Sequence, residues 1–318
     1  MQWYHVKHKQ LIRMVGFNND IKVLHLEATT VCNAKCPQCA RENPELYNDD
    51  IDRAELTLDK CKELFSLDFI NNLDKMFMCG DFGDPVAAKD TLKILKYFKT
   101  INPTIVLGLN TNGSIQNTSW WTELALVLDN PRDYAIFSID GLKDTNHIYR
   151  KNVRWSKVIE NAKAFIDAGG SAHWDMLVFK HNEHQLLDAE NLARELGFSF
   201  FRSKVSRRFE THPVDGIDAP TTFDLPNMNT THEIKCHALH EKSLYVSATG
   251  EKLPCCWIGV NIFNMDSYLR SLLKSDNWNK LTKSWNNAPH ATCSKACGVN
   301  NTKKTNFESQ WTKEIKLR

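Results

Sequence analysis

Short apolar runs alternate with helical patterns along residues 21–203. Each run has the length of a buried strand and is followed by apolar residues spaced three and four apart, which predicts a helix. Repeated strand–helix units predict parallel strands joined by right-handed crossovers. Gly169 and Gly197 predict the ends of two of the helices. The predicted strands cover residues 23–26, 76–79, 105–109, 135–139, 176–179 and 198–201.

Six strand–helix units fall short of a closed eight-stranded barrel. We therefore expect an α/β fold, a partial (β/α)6 TIM-like barrel, over residues 1–205. Residues 206–234 break the pattern with prolines and acidic residues, which predicts a linker or surface excursion. Residues 235–318 carry further cysteines, and Thr249-Gly250 predicts a hairpin turn among them. This last segment is predicted to be a small cysteine-rich domain.

Composition and charge narrow the class of protein. The chain has 318 residues, of which 42% are hydrophobic and 25% are charged, as in an ordinary globular protein. The net charge of +2 gives no general attraction to nucleic acid or to a membrane surface. No apolar run is long enough to span a bilayer, and the first residues lack a signal-peptide core. Ten cysteines in such a chain indicate metal or redox chemistry, and we expect a cytoplasmic protein.

Three of these cysteines follow the first predicted strand. Cys32, Cys36 and Cys39 have the spacing C-x3-C-x2-C. Three soft thiolates from one short loop suit iron–sulfur ligation. A structural metal site has four protein ligands, whereas three leave one position open for another molecule. The alternative is a zinc site completed by a distant cysteine or histidine.

This loop resembles the signature of the radical S-adenosylmethionine (SAM) enzymes. The resemblance implies that the three thiolates hold a [4Fe-4S] cluster whose open iron chelates SAM. A donor such as flavodoxin or ferredoxin then supplies one electron, SAM is cleaved, and a 5′-deoxyadenosyl radical takes a hydrogen atom from substrate. The cofactors carry this chemistry, and the protein supplies position and electrostatics.

The turn after the second strand, Cys79–Pro85, looks like the Gly-Gly-Glu-Pro motif of the same family. In that motif the backbone and one carboxylate accept hydrogen bonds from the SAM ammonium group, and glycine lets the backbone approach closely. An ordinary strand-to-helix turn is the alternative. Gln38 departs from the aromatic residue that the family often has before the third cysteine. The residues implied to contact SAM here are Phe82, Gly83, Asp84 and Pro85.

Later strand ends carry further motifs of the family. Asn112 lies in a Thr-Asn-Gly turn of the kind that lines the family's cavity. Ser138 and Arg150 resemble the residues that bind the SAM ribose or carboxylate, and Asp140 is implied to bind substrate or accept a proton as a catalytic residue. Val178 stands where the family's fifth strand meets adenine. The alternatives are an ordinary Asn-Gly turn for Asn112, a loop cap for Asp140, a solvated charge for Arg150 and a core strand for Val178.

A second group of cysteines follows the linker. Cys236 and Cys255 are spaced C-x13-G-x4-C, which resembles the auxiliary-cluster domain called Twitch, the one-cluster form of the SPASM domain. Cys256 is the ambiguity, because adjacent thiols rarely serve one metal. A zinc site with four cysteines is the alternative. The four thiolates implied to hold a second [4Fe-4S] cluster are Cys236, Cys255, Cys293 and Cys297.

The sequence thus predicts a radical SAM oxidoreductase of the SPASM/Twitch type, acting on a peptide side chain or a small molecule. The auxiliary cluster is expected either to accept an electron from the substrate radical or only to hold its domain in place. A non-enzymatic zinc or iron–sulfur protein that binds a partner is one alternative, and a degenerate fold without turnover is another. A basic stretch is expected just past the sixth strand, where it meets an anionic substrate or forms a solvated loop: Arg202, Lys204, Arg207 and Arg208.

Overall fold

The computed structural model describes residues 20–42, 53–210, 212–225, 233–260, 278–300 and 303–318. The described strands form one nine-stranded sheet. They are β1 (Val23–Leu26), β2 (Lys75–Met78), β3 (Val106–Thr111), β4 (Tyr134–Ser138), β5 (Ala172–Val178), β6 (Phe200–Val205), β7 (Ser243–Val246), β8 (Lys252–Leu253) and β9 (Trp311–Lys316). Their order in the sheet is β8-β7-β1-β2-β3-β4-β5-β6-β9.

Strands β1 to β6 are parallel neighbours in chain order, as the sequence predicts. Helices fill the connections between them, so the expectation of an α/β partial barrel is confirmed. The helices are α1 (Leu58–Leu64), α2 (Leu67–Asn71), α3 (Thr91–Ile101), α4 (Thr118–Val127), α5 (Asn146–Tyr149), α6 (Trp155–Asp167), α7 (Leu186–Glu195), α8 (His237–Glu241), α9 (Cys256–Val260), α10 (Trp278–Ser284) and α11 (Ala291–Cys297).

The two faces of the sheet differ because side chains alternate along each strand. On one face Phe137 of β4 packs against Trp121 of α4, with ring centroids 5.0 Å apart, and against Phe165 of α6. This helix-covered face carries the apolar core. The opposite face, which we call the inner face, carries Ile136 and Ser138 and lines the interior of the partial barrel.

Local sequence explains where several helices begin and end. The side chains of Thr57, Ser66 and Asn117 accept hydrogen bonds from the first turns of α1, α2 and α4. Gly169 and Gly197, with φ of 94° and 84°, follow α6 and α7 in the left-handed conformation that glycine tolerates best. Both predicted helix ends are therefore confirmed.

The sixth strand differs from its prediction at both ends. It begins at Phe200 and continues to Val205, so Arg202 and Lys204 lie within the strand and not past it. Phe201 and Val205 are buried, whereas Arg202 and Lys204 alternate with them on the inner face. A strand that is polar on one face gives only a short apolar run, which is why the pattern placed it too early. The fifth strand likewise begins earlier, at Ala172.

Segments far along the chain complete both edges of the sheet. Strand β7 pairs in parallel with β1, and β8 turns back antiparallel through Gly250, whose φ is 84°. This turn confirms the predicted hairpin. Strand β9, which the sequence pattern did not predict, pairs antiparallel with β6 at the other edge. The division of the chain at residues 205 and 235 stays a prediction.

In the described ranges, every helix is too short or too polar to qualify as a membrane-spanning segment.

The hydroxyl of Tyr245 in β7 donates a hydrogen bond to Glu27, the residue after β1, and both side chains are buried. We expect Tyr245→Phe to lower the free energy of unfolding by about 1–3 kcal/mol, because the buried carboxyl group loses this donor. Denaturant unfolding under anaerobic conditions measures the change. The control is Tyr97→Phe, since the hydroxyl of Tyr97 has no hydrogen bond to any other described residue. An equal loss in both variants would contradict the assignment.

Candidate functional site

The cysteine loop begins directly after β1. Cys36 is buried, and Cys32 and Cys39 are half-buried beside it. Burial, together with the charges of Asp84 and of the other two cysteines, raises the pKa of Cys32 to about 12. The three thiols therefore lie within electrostatic range of one another in a largely desolvated loop. Thiols of this kind lose their protons when they bind a metal.

Nitrogen donors face two of the three sulfur atoms. The backbone N–H of Ala34 lies 3.4 Å from Cys32 Sγ, and Asn112 Nδ2 lies 3.8 Å from the same sulfur. Arg150 Nη1 lies 3.6 Å from Cys36 Sγ. Burial raises the pKa of Cys36 to about 11, and the nearby Arg150 opposes that rise. Hydrogen bonds to the sulfur atoms are a feature of iron–sulfur ligands, so this set of donors fits a cluster.

The turn after β2 packs against this loop without room for side chains. A Cβ atom on Gly83 would lie 1.9 Å from the carbonyl oxygen of Thr29, and one on Gly80 would lie 1.8 Å from that of Gly83. The N–H of Asp84 donates to the carbonyl of Val31, at 2.9 Å. Only glycine fits at both positions, and the turn therefore lies directly beside the start of the cysteine loop.

The carboxylate of Asp84 points into the protein and is almost fully buried. It accepts hydrogen bonds from the Thr111 hydroxyl at 2.8 Å and from the N–H groups of Asn112 and Val86 at 2.7 and 3.0 Å. Burial raises the pKa of Asp84, and these donors oppose the rise. Asp84 also caps the short 3-10 helix that begins at Pro85. Its predicted contact with the SAM ammonium stays a prediction, because all of these bonds are internal.

A second buried carboxylate, which the sequence analysis missed, supports the same turn. Glu27 accepts hydrogen bonds from the N–H of Phe82 at 2.7 Å and of Gly83 at 3.3 Å. Burial raises the pKa of Glu27 and of its neighbour Asp81. The sequence did carry one signal for Glu27, namely an acidic residue directly after an apolar strand. Such a residue needs hydrogen-bond partners when it is buried.

At the end of β4, Asp140 and Arg150 form a buried ion pair. Arg150 Nε lies 2.6 Å from Asp140 Oδ2, and the N–H of Leu177 lies 2.6 Å from Asp140 Oδ1. Arg150 thus bridges Asp140 and Cys36. Ser138 is half-exposed on the inner face, where it is paired with Asp175 of β5. The roles predicted for Asp140, Arg150 and Ser138 stay predictions, although both oxygens of Asp140 already have partners.

Two other predicted positions have clear surroundings. Val178 is fully buried at the end of β5, where it pairs with Val205 of β6. Gln38 is also fully buried, and its side chain accepts a hydrogen bond from the Ser206 hydroxyl at 2.8 Å. Arg208 Nη1 donates to the carbonyl of Gln38 at 2.5 Å. Gln38 therefore joins the cysteine loop to the segment after β6, a role that an aromatic side chain would not fill.

The second cysteine group surrounds one pocket, which we call the cysteine pocket. Cys236, Cys255, Cys293 and Cys297 all line it, together with Trp257 and Trp285 among others. Cys293 and Cys297 lie one turn apart on α11, so their side chains project from the same face of the helix. A hydrogen bond from the Cys297 thiol lowers the pKa of Cys236 to about 7.

Cys256 does not line this pocket. Burial raises its pKa, and the charges that act on it include those of Asp81, Cys79 and Arg207. Arg207 in turn lies over the rings of Trp257 and Phe307, with its guanidinium carbon 5.9 and 5.7 Å from their centroids. The two adjacent cysteines therefore have different surroundings, and Cys255 is the one that lines the pocket with the other three.

Comparison with known proteins identifies the family. The sequence matches the radical SAM superfamily over residues 26–193, just over half of the chain. The chain therefore belongs to the radical SAM superfamily, and it is an enzyme of that family. A comparison with curated protein sequences found no match.

Solved structures with the same fold support this assignment. SuiB of Streptococcus suis, bound to the precursor peptide SuiA, has a TM-score of 0.58 and 14% identity, covering 91% of this chain and 79% of SuiB. The protein anSMEcpe with bound AdoMet has a TM-score of 0.59 and 14% identity, covering 91% of each chain. A further anSMEcpe structure, with AdoMet and the Cp18Cys peptide, gives 0.58 and 14% identity over 90% of this chain and 94% of that one. At this level of identity the similarity concerns the fold.

The ion pair between Asp140 and Arg150 is a stability element as well as a site element. We expect Arg150→Gln to lower the free energy of unfolding by about 3–5 kcal/mol, because it leaves a buried carboxylate without its counter-charge. The double variant Asp140→Asn/Arg150→Gln should recover part of this loss. Denaturant unfolding of both singles and the double forms a thermodynamic cycle. Arg154→Gln, at an exposed arginine, is the control, and strictly additive losses would contradict the coupling.

Proposed function

We propose that this enzyme abstracts a hydrogen atom from a peptide side chain or small molecule lying between the barrel mouth and the cysteine pocket. By barrel mouth we mean the carboxyl ends of β1 to β6, where barrel enzymes carry their chemistry. The observation that carries the proposal is the position of Asp81. It follows β2 at the mouth, and a Cβ atom on Gly259 of α9, the helix directly after Cys255, would lie 3.1 Å from Asp81 Oδ2. The two groups of cysteines thus flank one region.

In this proposal Cys32, Cys36 and Cys39 hold the SAM-binding cluster. When bound, the cluster and SAM supply the electron and the 5′-deoxyadenosyl radical that the family uses. Asn112 and Arg150 donate hydrogen bonds to the thiolates, which orients them and adjusts the charge around them.

The other residues predicted to contact SAM differ in which of their groups are still available to bind it. The backbone of Phe82, Gly83 and Pro85 faces SAM in the proposal, while Asp84 holds that backbone in place. Ser138 meets the ribose or carboxylate of SAM, and Val178 lies beside adenine. Asp140 acts by orienting Arg150, which is supported by their 2.6 Å contact.

The cysteine pocket is proposed to hold an auxiliary [4Fe-4S] cluster through Cys236, Cys255, Cys293 and Cys297. Four thiolates are the ligand set of such a cluster, and each binds a different iron. A zinc site with the same four thiolates is the alternative. Membership of the radical SAM superfamily favours the cluster, whose role would be to take an electron from the substrate radical.

The substrate class is open between peptides and small molecules. Two structurally similar proteins were crystallised with peptides, namely SuiB with SuiA and anSMEcpe with Cp18Cys. This favours a peptide for the present chain. An external electron donor such as flavodoxin or ferredoxin completes the proposal.

Metal content after anaerobic reconstitution tests the two-cluster proposal. We expect about eight irons per chain in the wild type and about four in the Cys32/Cys36/Cys39→Ala variant. Only the wild type should form 5′-deoxyadenosine from SAM. Stoichiometric zinc with little iron would overturn the proposal. A wild type with about four irons and a triple variant with none would remove only the auxiliary cluster from the proposal.

The neighbouring cysteines provide a matched pair of variants. We expect Cys255→Ser to lose the auxiliary cluster, measured as about four irons per chain, because serine replaces a thiolate that lines the cysteine pocket. Cys256→Ser should retain both clusters. Iron and sulfide analysis of the two proteins distinguishes them, and the reverse result would assign the ligand to Cys256.

A further inference from the structure

The inner face near the end of β6 carries two cations, Arg202 and Lys204, and one buried carboxylate, Asp175. In register across β4, β5 and β6 lie Ser138, Asp175 and Arg202, and Lys204 lies beside Leu177 closer to the barrel mouth. Parallel partners point to the same face of a sheet, so these polar groups share the barrel interior.

Asp175 is the one carboxylate that lies near both Arg202 and Lys204, and its close contact is with Arg202. Arg202 Nε lies 2.6 Å from Asp175 Oδ1, whereas Lys204 Nζ lies 3.8 Å from Asp175 Oδ2. The shorter contact is a charge-assisted hydrogen bond, and the longer one is only an electrostatic attraction. Arg202 also lies 3.8 Å from Oε2 of the exposed Glu314, so Arg202 has two carboxylate partners and Lys204 shares one of them.

The ammonium group of Lys204 has three N–H donors and no hydrogen bond to any described residue. Its side chain is 26% exposed and rests on the ring of Trp311, with Nζ 4.7 Å from the ring centroid. Burial lowers the pKa of Lys204. A desolvated cation without acceptors is costly unless an anion completes its surroundings.

The other charges near Lys204 do not cancel its own. It interacts electrostatically with Asp140 and Cys79 at the barrel mouth, but Asp140 is already neutralised by Arg150. Deeper on the inner face, Lys75 rests on the rings of Phe77 and Tyr134 and has no carboxylate partner among the described residues. Two cations of the inner face, Lys204 and Lys75, thus have no hydrogen-bonded carboxylate among the described residues, and each can attract an anion.

We propose that Lys204, supported by the Arg202–Asp175 pair and by Trp311, binds a carboxylate or phosphate group of the substrate. The inference rests on the proposed function, since it assigns a substrate class to the same chamber. SAM also carries a carboxylate, and Gln38 joins the cysteine loop to the segment after β6, so both anions can reach this part of the barrel mouth. The proposed function already assigns SAM to the cluster and to Ser138, and the substrate is therefore the anion that we assign to Lys204.

Thermal unfolding of anaerobically reconstituted protein tests the site, with inorganic phosphate as the probe. In potassium chloride alone, Lys204→Met should raise the Tm, because it removes a largely buried charge whose carboxylate contact, at 3.8 Å, is shared with Arg202. Replacing chloride by phosphate at equal ionic strength should raise the Tm of the wild type more than that of Lys204→Met. The general stabilising effect of phosphate acts on both proteins and cancels in the comparison.

From the dependence of Tm on phosphate concentration, the variant should bind phosphate at least about tenfold more weakly, the loss expected of one charge-assisted hydrogen bond. Lys316→Met, at an exposed lysine of β9, is the matched control and should behave as the wild type. A lower Tm for Lys204→Met with an unchanged phosphate response would overturn the proposal and make Lys204 a structural residue.

The affinity for SAM separates the two possible sources of the anion. Equilibrium binding of SAM should agree within about twofold between the wild type and Lys204→Met, whereas a tenfold loss would assign the carboxylate of SAM to Lys204 and overturn the substrate assignment. The phosphate response requires no turnover. It can therefore succeed or fail independently of 5′-deoxyadenosine formation, which tests the proposed function.

Discussion

The buried carboxylate of Asp84 connects the parts of the barrel mouth that must hold their positions together. The backbone N–H of Asp84 donates to the carbonyl of Val31 in the cysteine loop, and its side chain accepts hydrogen bonds from Thr111 and Asn112 at the carboxyl end of β3. Asn112 then reaches Cys32. A desolvated carboxylate with three donors is costly to disturb, since removal of any partner leaves a buried charge unsatisfied. The geometry of the thiols therefore depends on a residue that contacts none of them through its side chain.

The same principle recurs around the mouth, where buried polar groups are held by backbone and by opposite charges. Glu27 fastens the glycine-rich turn, and the Asp140–Arg150 pair supports Cys36 from the other side. Each of these groups costs free energy to bury unless its partners are complete. The result is a rigid, partly dry surrounding for three thiols, which suits a cluster whose ligands must keep a fixed geometry.

Lys204 and Arg207 differ from these satisfied groups. Both lie against aromatic rings, and neither has a hydrogen-bonded carboxylate among the described residues. Arg207 lies over Trp257 of the cysteine pocket, and burial lowers the pKa of each cation. Proteins generally satisfy their structural charges internally. Two cations that lack hydrogen-bonded carboxylates, at the place where substrate is proposed to lie, are therefore consistent with a site that a ligand completes.

The sequence alone determined the six parallel strands, the helix ends at Gly169 and Gly197, and the grouping of Cys32, Cys36 and Cys39. These features depend on local periodicity, backbone freedom and spacing, which neighbouring residues carry. Only the tertiary structure decided that β9 completes the sheet beside β6, that Asp84 turns inward, and that Cys255 rather than its neighbour Cys256 lines the pocket. Such outcomes depend on contacts between residues far apart in the chain and on the direction of single side chains. Neither leaves a periodic trace in the sequence, since the same residues satisfy the local pattern whichever partner they meet.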